Sequence, residues 1–271
     1  LIAESASDFL RAFHAQHPGC TSQAFARGAV RGRTGSSYDL LAECVDGAVL
    51  DLGCGDGHLL ELLVGRGLPA SALIGVDLSP DELALARQRP ALAETRLIEG
   101  RGQRLPLPEN CVDGVLSHLA WMLMDDIGQV VAEVARVLRP GGVFAAVVGG
   151  GPKVGDSFEL FLDLLTPIVR RQGIRVPRMG DPRCRSEAGL RSLLAPSAGF
   201  ATLQIEDFAV DLSGSFPQVW RSLSTVYERH ALSPVALGQL RATFESAATG
   251  MATDGVVPCS MFVRRVLATT S

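Results

Sequence analysis

Hydrophobic positions along this chain switch between two rhythms. Short continuous apolar runs fit strands, and runs with apolar residues every third or fourth place fit helices. The stretch from Ser5 to Gln16 sets Phe9, Leu10 and Phe13 on one side of a helix. "RGAVRGRTGSSYDLLAECV" follows, a glycine- and serine-rich loop before a short helix near Tyr38 to Cys44. Next come "AVLDLG" as strand and "GHLLELLVGRG" as helix, then "ALIGVDL" as strand. "SPDELALARQR" reads as a helix with Ser79 as its cap and Pro80 in its first turn. "TRLIEG" and "CVDGVLSHL" are predicted strands. "DDIGQVVAEVARVLRPGG" is a predicted helix with Ile127, Val130, Val131, Val134 and Leu138 apolar, and "VFAAVVGG" is another strand. Strands alternating with helices predict an α/β fold with a parallel, doubly wound sheet.

After Gly151 the rhythm changes. "GDSFELFLDLLTPIVRRQG" reads as an inserted helix and "RSEAGLRSLLAPSAGF" as a second. "ATLQIEDFAVDL" reads as a strand, Phe216 to Thr249 as a helical stretch, and "VVPCSMFVRRVLA" as the last strand. This predicts one domain in three parts: a helical lid over 1–45, a core over 46–150, and the rest of the sheet with helical insertions over 151–271.

Composition narrows the function classes. The chain has 271 residues, is 47% hydrophobic and carries a formal charge of −4, ample for a packed core. That mild acidity, with no clustered basic stripe in view, argues against a nucleic-acid partner. No apolar run reaches the ~20 residues of a membrane span, so no membrane partner is expected. Six scattered cysteines form no CxxC pair, which indicates neither a zinc site nor a disulfide framework. A reducing, cytoplasmic setting and no metal are the expectations. His14, His17 and Cys20 have helix-like spacing, and a lid surface accounts for them better than a metal site.

The glycine loop is the most informative stretch. "VLDLGCGDG" places Gly53, Gly55 and Gly57 between a strand and a helix. A dinucleotide site uses G-x-G-x-x-G, and here the third glycine is one place early. Asp51 precedes the loop and Asp56 lies inside it, and carboxylates repel a pyrophosphate. They suit a ligand with a cationic amine and no phosphate, as in S-adenosylmethionine. Asp77 ends the next strand, where an acid accepts hydrogen bonds from ribose hydroxyls in either class of ligand.

Taken together, these residues resemble the class I S-adenosylmethionine-dependent methyltransferases, small-molecule branch. "VLDLGCGDG", "LIGVDLSP", "GRGQRLPLPENCVDGVLS" and "VARVLRPGG" match the family's motifs in order over about Ala48 to Val148. The resemblance implies a Rossmann-like, seven-stranded sheet whose last strand is antiparallel, with S-adenosylmethionine as cofactor and S-adenosylhomocysteine as product. It implies that Asp51, Gly53, Cys54 and Gly55 hold the methionine end and that Asp77 binds the ribose. Leu78 would pack on the adenine, Gly102 and Gln103 would flank its edge, and Ser117 would meet the methionine amine through its backbone. Tyr38, with Arg33, would close over the cofactor. The family often has Asp where this chain has Arg101, which leaves the adenine amine without that side chain.

Methyl transfer to a hydroxyl needs alignment, exclusion of water and a base. His118 follows Ser117 at the carboxyl end of its strand, where open α/β sheets place ligands, and is the candidate general base. Asp156 and Glu159 are candidate partners for its ring, and a buried structural histidine is the alternative. Trp121 and Met122 are candidates for the acceptor cavity, with plain core as the alternative. His58 reads as exposed or capping, His230 as a cation near a helix end, and Asp125 and Asp126 as caps. Carbon and nitrogen acceptors compete with oxygen, and a non-catalytic cofactor-binding protein of the same fold is the remaining class. The Leu start and the composition resemble O-methyltransferase domains embedded in bacterial modular polyketide synthases. That likeness implies a small-molecule acceptor, a β-hydroxyl or enol, tethered to an acyl carrier protein. A free-standing tailoring enzyme is the alternative.

Overall fold

The computed structural model describes residues 5–271; residues 1–4 of the expected lid lie outside the described residues. The lid region begins with α1 (Ala6–Gln16), capped by Ser5, whose side chain accepts from the Asp8 amide. Then come α2 (Cys20–Phe25), a two-residue β1 (Ala29–Val30) and the short α3 (Asp39–Ala42). The core alternates as the apolar rhythm predicts. It runs β2 (Val49–Leu52), α4 (His58–Gly65), β3 (Leu73–Asp77), α5 (Pro80–Arg87), β4 (Arg96–Glu99), β5 (Val112–His118), α6 (Ile127–Val137) and β6 (Leu138–Pro152).

The last third supplies α7 (Ser157–Arg171), α8 (Glu187–Leu193), β7 (Phe200–Asp211), α9 (Phe216–Ser222), α10 (Tyr227–His230), α11 (Pro234–Gly250) and β8 (Ser260–Thr270). The single helical stretch expected from Phe216 to Thr249 is therefore broken. Ser233 caps α11 by accepting from the Ala236 amide, and Pro234 takes the first turn, where it needs no amide partner.

The sheet runs β1-β7-β8-β6-β5-β2-β3-β4. Strands β2 to β6 are mutually parallel, and β8 is antiparallel to both β6 and β7. The expected seven strands are thus eight, because β1 adds itself antiparallel to β7 at one edge. Two alanine-valine residues in a glycine-rich loop carry too little pattern to read as a strand.

The central strands are buried on both faces, as crossover helices require. One face packs α3, α4, α7, α9 and α11. The other packs the stripe Ile127, Val130, Val131, Val134 and Val137 of α6. Within that second layer Trp121 is fully buried, edge-on to Phe144 at 5.3 Å, and Phe144 meets Phe200 at 6.3 Å. Trp121→Ala would leave a large cavity there. We expect it to cost about 3–5 kcal/mol in urea unfolding; a loss below 1 kcal/mol would show that the layer can collapse around the gap.

Candidate functional site

The chain order turns back on itself between β2 and β5, which lie side by side. Ligands in open α/β sheets sit at the carboxyl ends of the strands beside such a switch. Two adjoining clefts occupy that place, of about 670 and 600 Å³, and both are lined by His14, Gly53, Asp77, Ala120 and Leu123.

The loop between them needs its glycines. Gly53, Gly55 and Gly57 have φ of 77°, 50° and 79°, a region side chains disfavour. A Cβ on Gly53 would also collide with the Ala120 side chain. The Gly53 amide donates to the Val76 carbonyl at 2.8 Å, and the Gly55 amide to Asp77 Oδ2 at 2.8 Å. Asp77 Oδ1 accepts from the Ser79 amide at 2.8 Å. The ribose acid is thereby locked to the loop, with spare lone pairs on both oxygens. Burial raises its pKa, and the two amides oppose the rise.

Asp51 lies deeper. It is buried, lines the second cleft, and its Oδ1 has no hydrogen-bond partner. Burial first, then Asp77 and Asp56, push its pKa well above the usual carboxylate range. An unpartnered buried carboxyl oxygen is costly, and an ammonium group answers it. Asp56 differs: its Oδ2 accepts from Arg89 Nη2 at 2.5 Å and from Ser22 Oγ at 2.7 Å. Its charge is met inside the protein, so it contributes less to the expected repulsion of a pyrophosphate.

The first cleft takes Leu78, Gly102 and Gln103 into its walls, and the second takes Tyr38, Cys54, Gly55 and His118. Ser117 lines neither. Its Oγ donates to the Leu52 carbonyl at 2.7 Å and accepts from the Trp121 amide at 3.0 Å, tying β2 to β5 behind the site. Trp121 and Met122, expected at the acceptor cavity, also line neither cleft. Trp121 belongs to the core layer already described, and Met122 Sδ accepts from the Gly149 amide at 3.0 Å. Arg33 lies outside both clefts and pairs with Glu43 at 2.6 Å.

Arg101, where the family often has Asp, reaches Ser7 Oγ at 2.8 Å and Asp125 at 3.3 Å. Gln103 Nε2 donates to the Asp125 carbonyl at 2.8 Å and to its carboxylate. Asp125 therefore does not cap α6; it brings a carboxylate to the adenine-side cleft. Asp126 sits at the cap position with φ 45° and makes no side-chain cap bond.

His118 is buried, with Nε2 2.9 Å from Ser37 Oγ and Nδ1 unpartnered. Tyr38 stacks on it at 3.6 Å between centroids. Burial, then the charge of His58, lower its pKa to about 3, so the ring is neutral at pH 7. The acids proposed to orient it do other work. Asp156 caps α7 by accepting from the Phe158 amide, and Glu159 accepts from the Gly155 amide. Ser37 and Tyr38 hold the ring instead.

His58 is half-buried, edge-on to Tyr38 at 4.7 Å, rather than exposed. His230 is not the expected cation either. Burial leads in lowering its pKa to about 4, and its Nε2 lies 2.7 Å from the Ser224 carbonyl.

Sequence reading missed the lid's anchor. Glu82, 3% exposed on α5, lies 2.7 Å from His14 Nδ1 and accepts from the Gly19 amide at 2.9 Å. Burial opposes charge on His14, but hydrogen bonds and charge from Cys20 and Glu82 overcome it and raise the pKa to about 10. Aromatic contacts complete the attachment: Phe13 meets Tyr227 at 4.7 Å and His230 at 5.0 Å, and His17 meets His230 at 4.1 Å. No group of three or more His, Cys, Asp or Glu able to hold a metal occurs among the described residues. No helix among them is long and apolar enough to cross a membrane.

The sheet order, the glycine turn and the paired acids are those expected of a class I S-adenosylmethionine-dependent methyltransferase domain. Residues 50–146 match the family described as "Methyltransferase domain". Over 97 residues the chain is 41% identical to a malonyl-acyl-carrier-protein O-methyltransferase of Pectobacterium atrosepticum, covering 36% of each. Over 96 residues it is 38% identical to a fatty-acid O-methyltransferase of Mycolicibacterium smegmatis, covering 35% of each. The chain thus spans little more than a third of the length of these curated relatives. Its fold is similar along its whole length to the cyclase SpnF, at TM-score 0.58 and 21% identity, covering 100% of this chain and 97% of that one. A cyclase on this fold is a reminder that the sheet alone does not set the reaction.

The site yields two expectations. Hydrogen bonds to a charged group are worth about 1.5–3 kcal/mol. Asp77→Ala should therefore weaken S-adenosylhomocysteine binding at least ~10-fold by calorimetry; unchanged affinity in a folded variant would contradict the ribose assignment. The second concerns pH. Because the folded pKa of His14 is raised from 6.5 to about 10 by Cys20 and Glu82 together, its pairing with them stabilises fully below about 6.5 and is lost as pH climbs through about 10. The gap in thermal midpoint between wild type and Glu82→Gln should narrow from pH 7 to pH 10. A gap that widens would mean the pair is not ionic.

Proposed function

We propose that this chain methylates an oxygen of a small acyl acceptor carried on an acyl carrier protein, with His118 as general base. The observation that carries the reading is a buried imidazole at the carboxyl end of β5 whose Nδ1 has no partner, in the same cleft as the unpartnered Asp51. The names of the two curated relatives, both oxygen methyltransferases of acyl compounds, support an oxygen on an acyl chain. A β-hydroxyl or enol of a polyketide chain is the specific form we favour. The six free cysteines suit work in the cytoplasm.

In this reading residues 1–45 act as lid, 46–150 hold the cofactor and 151–271 shape the acceptor side. S-adenosylmethionine brings an already activated methyl group. The chain's own residues bind, align and keep out water. Asp51 receives the cofactor's ammonium group and Asp77 its ribose hydroxyls. Leu78 packs on the adenine, Gly102 and Gln103 flank its edge, and the Asp125 carboxylate stands in for the acid lost at Arg101. Tyr38 closes over the methionine end. His118 takes the acceptor's proton, and the face of Tyr38 stacked on its ring steadies the imidazolium as it forms.

Mass spectrometry after incubation with β-hydroxyacyl- and β-ketoacyl-carrier protein should show one added methyl group. His118→Ala should keep S-adenosylhomocysteine affinity and lose at least ~10²-fold in turnover. A base with pKa about 3 works above that value, so the acid limb of the wild-type rate should lie well below the ordinary histidine range. Full turnover by the variant would leave the reaction without this base and favour an amine acceptor.

A further inference from the structure

The absence of a basic stripe, expected from net charge, fails in one place. Residues 170–185 contain six arginines and one aspartate, in a chain whose net charge is −4. The run starts in the last turn of α7 and continues without regular structure to a tight turn at Pro182–Arg185. All six arginines are exposed. Arg183 pairs with Asp181 at 2.8 Å. Arg170, Arg171, Arg175, Arg178 and Arg185 make no ion pair among the described residues. Five exposed guanidinium groups within sixteen residues, without ion-pair partners, give this segment a positive charge that an acidic partner would complement.

The arm packs on the turn that leads into the wall of the site. Gly180 is pressed so closely on the Met122 carbonyl that no side chain fits there, and the next residue, Leu123, lines both clefts. Between the arm and α10 runs a groove of about 640 Å³ that includes Arg178, Arg185 and Glu228 in its walls. Tyr227, beside Glu228, lines the second cleft. Arg170, Arg171 and Arg175 lie outside that groove. The positive surface is therefore broader than any small anion in the groove would need.

We propose that this arginine arm docks an acidic carrier protein and so delivers its tethered acyl chain to the cleft mouth. The proposal rests on the carrier-tethered reading above. Arginine suits the task, because its planar fork pairs with carboxylates and with the phosphodiester of a carrier's prosthetic arm. Charges at such a rim act on encounter more than on chemistry.

The test compares wild type with the triple variant Arg175→Glu, Arg178→Glu, Arg185→Glu, using S-adenosylhomocysteine affinity as the control for folding. Two acceptors carry the same β-hydroxyacyl chain, one on an acidic holo carrier protein and one as a small soluble thioester. KM for the carrier-bound acceptor should rise at least ~10-fold with kcat unchanged, and KM for the thioester should not move. Equal loss on both acceptors, or no loss on either, would overturn the proposal. Fluorescence anisotropy with labelled carrier protein reads docking without turnover. If neither acceptor is methylated, the reaction reading fails, while salt-sensitive binding that the triple variant loses still supports the arm. Binding of an oligonucleotide or an anionic phosphatidylserine vesicle, with none of carrier protein, would overturn the partner.

Discussion

The bond between the Gly55 amide and the Asp77 carboxylate organises the site. It joins the turn after β2 to the end of β3, so the glycine loop and the Asp77 carboxylate are held to one another. The turn is possible only because glycine tolerates φ near 77° and because Ala120 leaves no room for a Cβ on Gly53. The same tie explains how Asp51 can stay buried with an unanswered oxygen. The loop is held by backbone bonds and does not depend on that carboxylate for its shape.

Over this rigid floor sits a cover attached by a few strong points. Glu82 grips both the His14 ring and the Gly19 backbone, and the aromatic rings of α1 lean on α10. The cover is built from the two ends of the chain: α1 precedes the sheet's first core strand, and α10 follows β7.

Much of this was legible in sequence where the signal is local. The alternation of β2 to β6 with their helices follows from apolar period, and Ser79 and Pro80 mark the start of α5 as expected. The glycine turn and Asp77 were readable because they lie within one strand-helix-strand unit. What was not legible depends on partners distant in the chain. Ser37 and His118 are 81 positions apart, and His14 and Glu82 are 68 apart. No spacing rule links such pairs, and the candidate partners Asp156 and Glu159 instead accept from amides around the start of α7. For Trp121 cavity and core are both open from sequence, and the turn after β5 sends it into the α6 layer. The arginine arm was hidden by averaging, since a net charge of −4 says nothing about where the positive residues cluster.

The placement of the two tryptophans has an optical consequence. Trp121 is sealed in the α6 layer, and Trp220 packs with Phe161, Phe216 and Phe244 among the helices of the opposite layer, under the Arg229 guanidinium at 4.1 Å. Neither indole lines the clefts, whose aromatic side chains include Tyr38 and Tyr227. The chain therefore carries two built-in emitters, one on each side of the sheet, that report the melting of separate halves of the core. Indole light is correspondingly insensitive to what enters the site, while tyrosine emission is the intrinsic signal placed to register it.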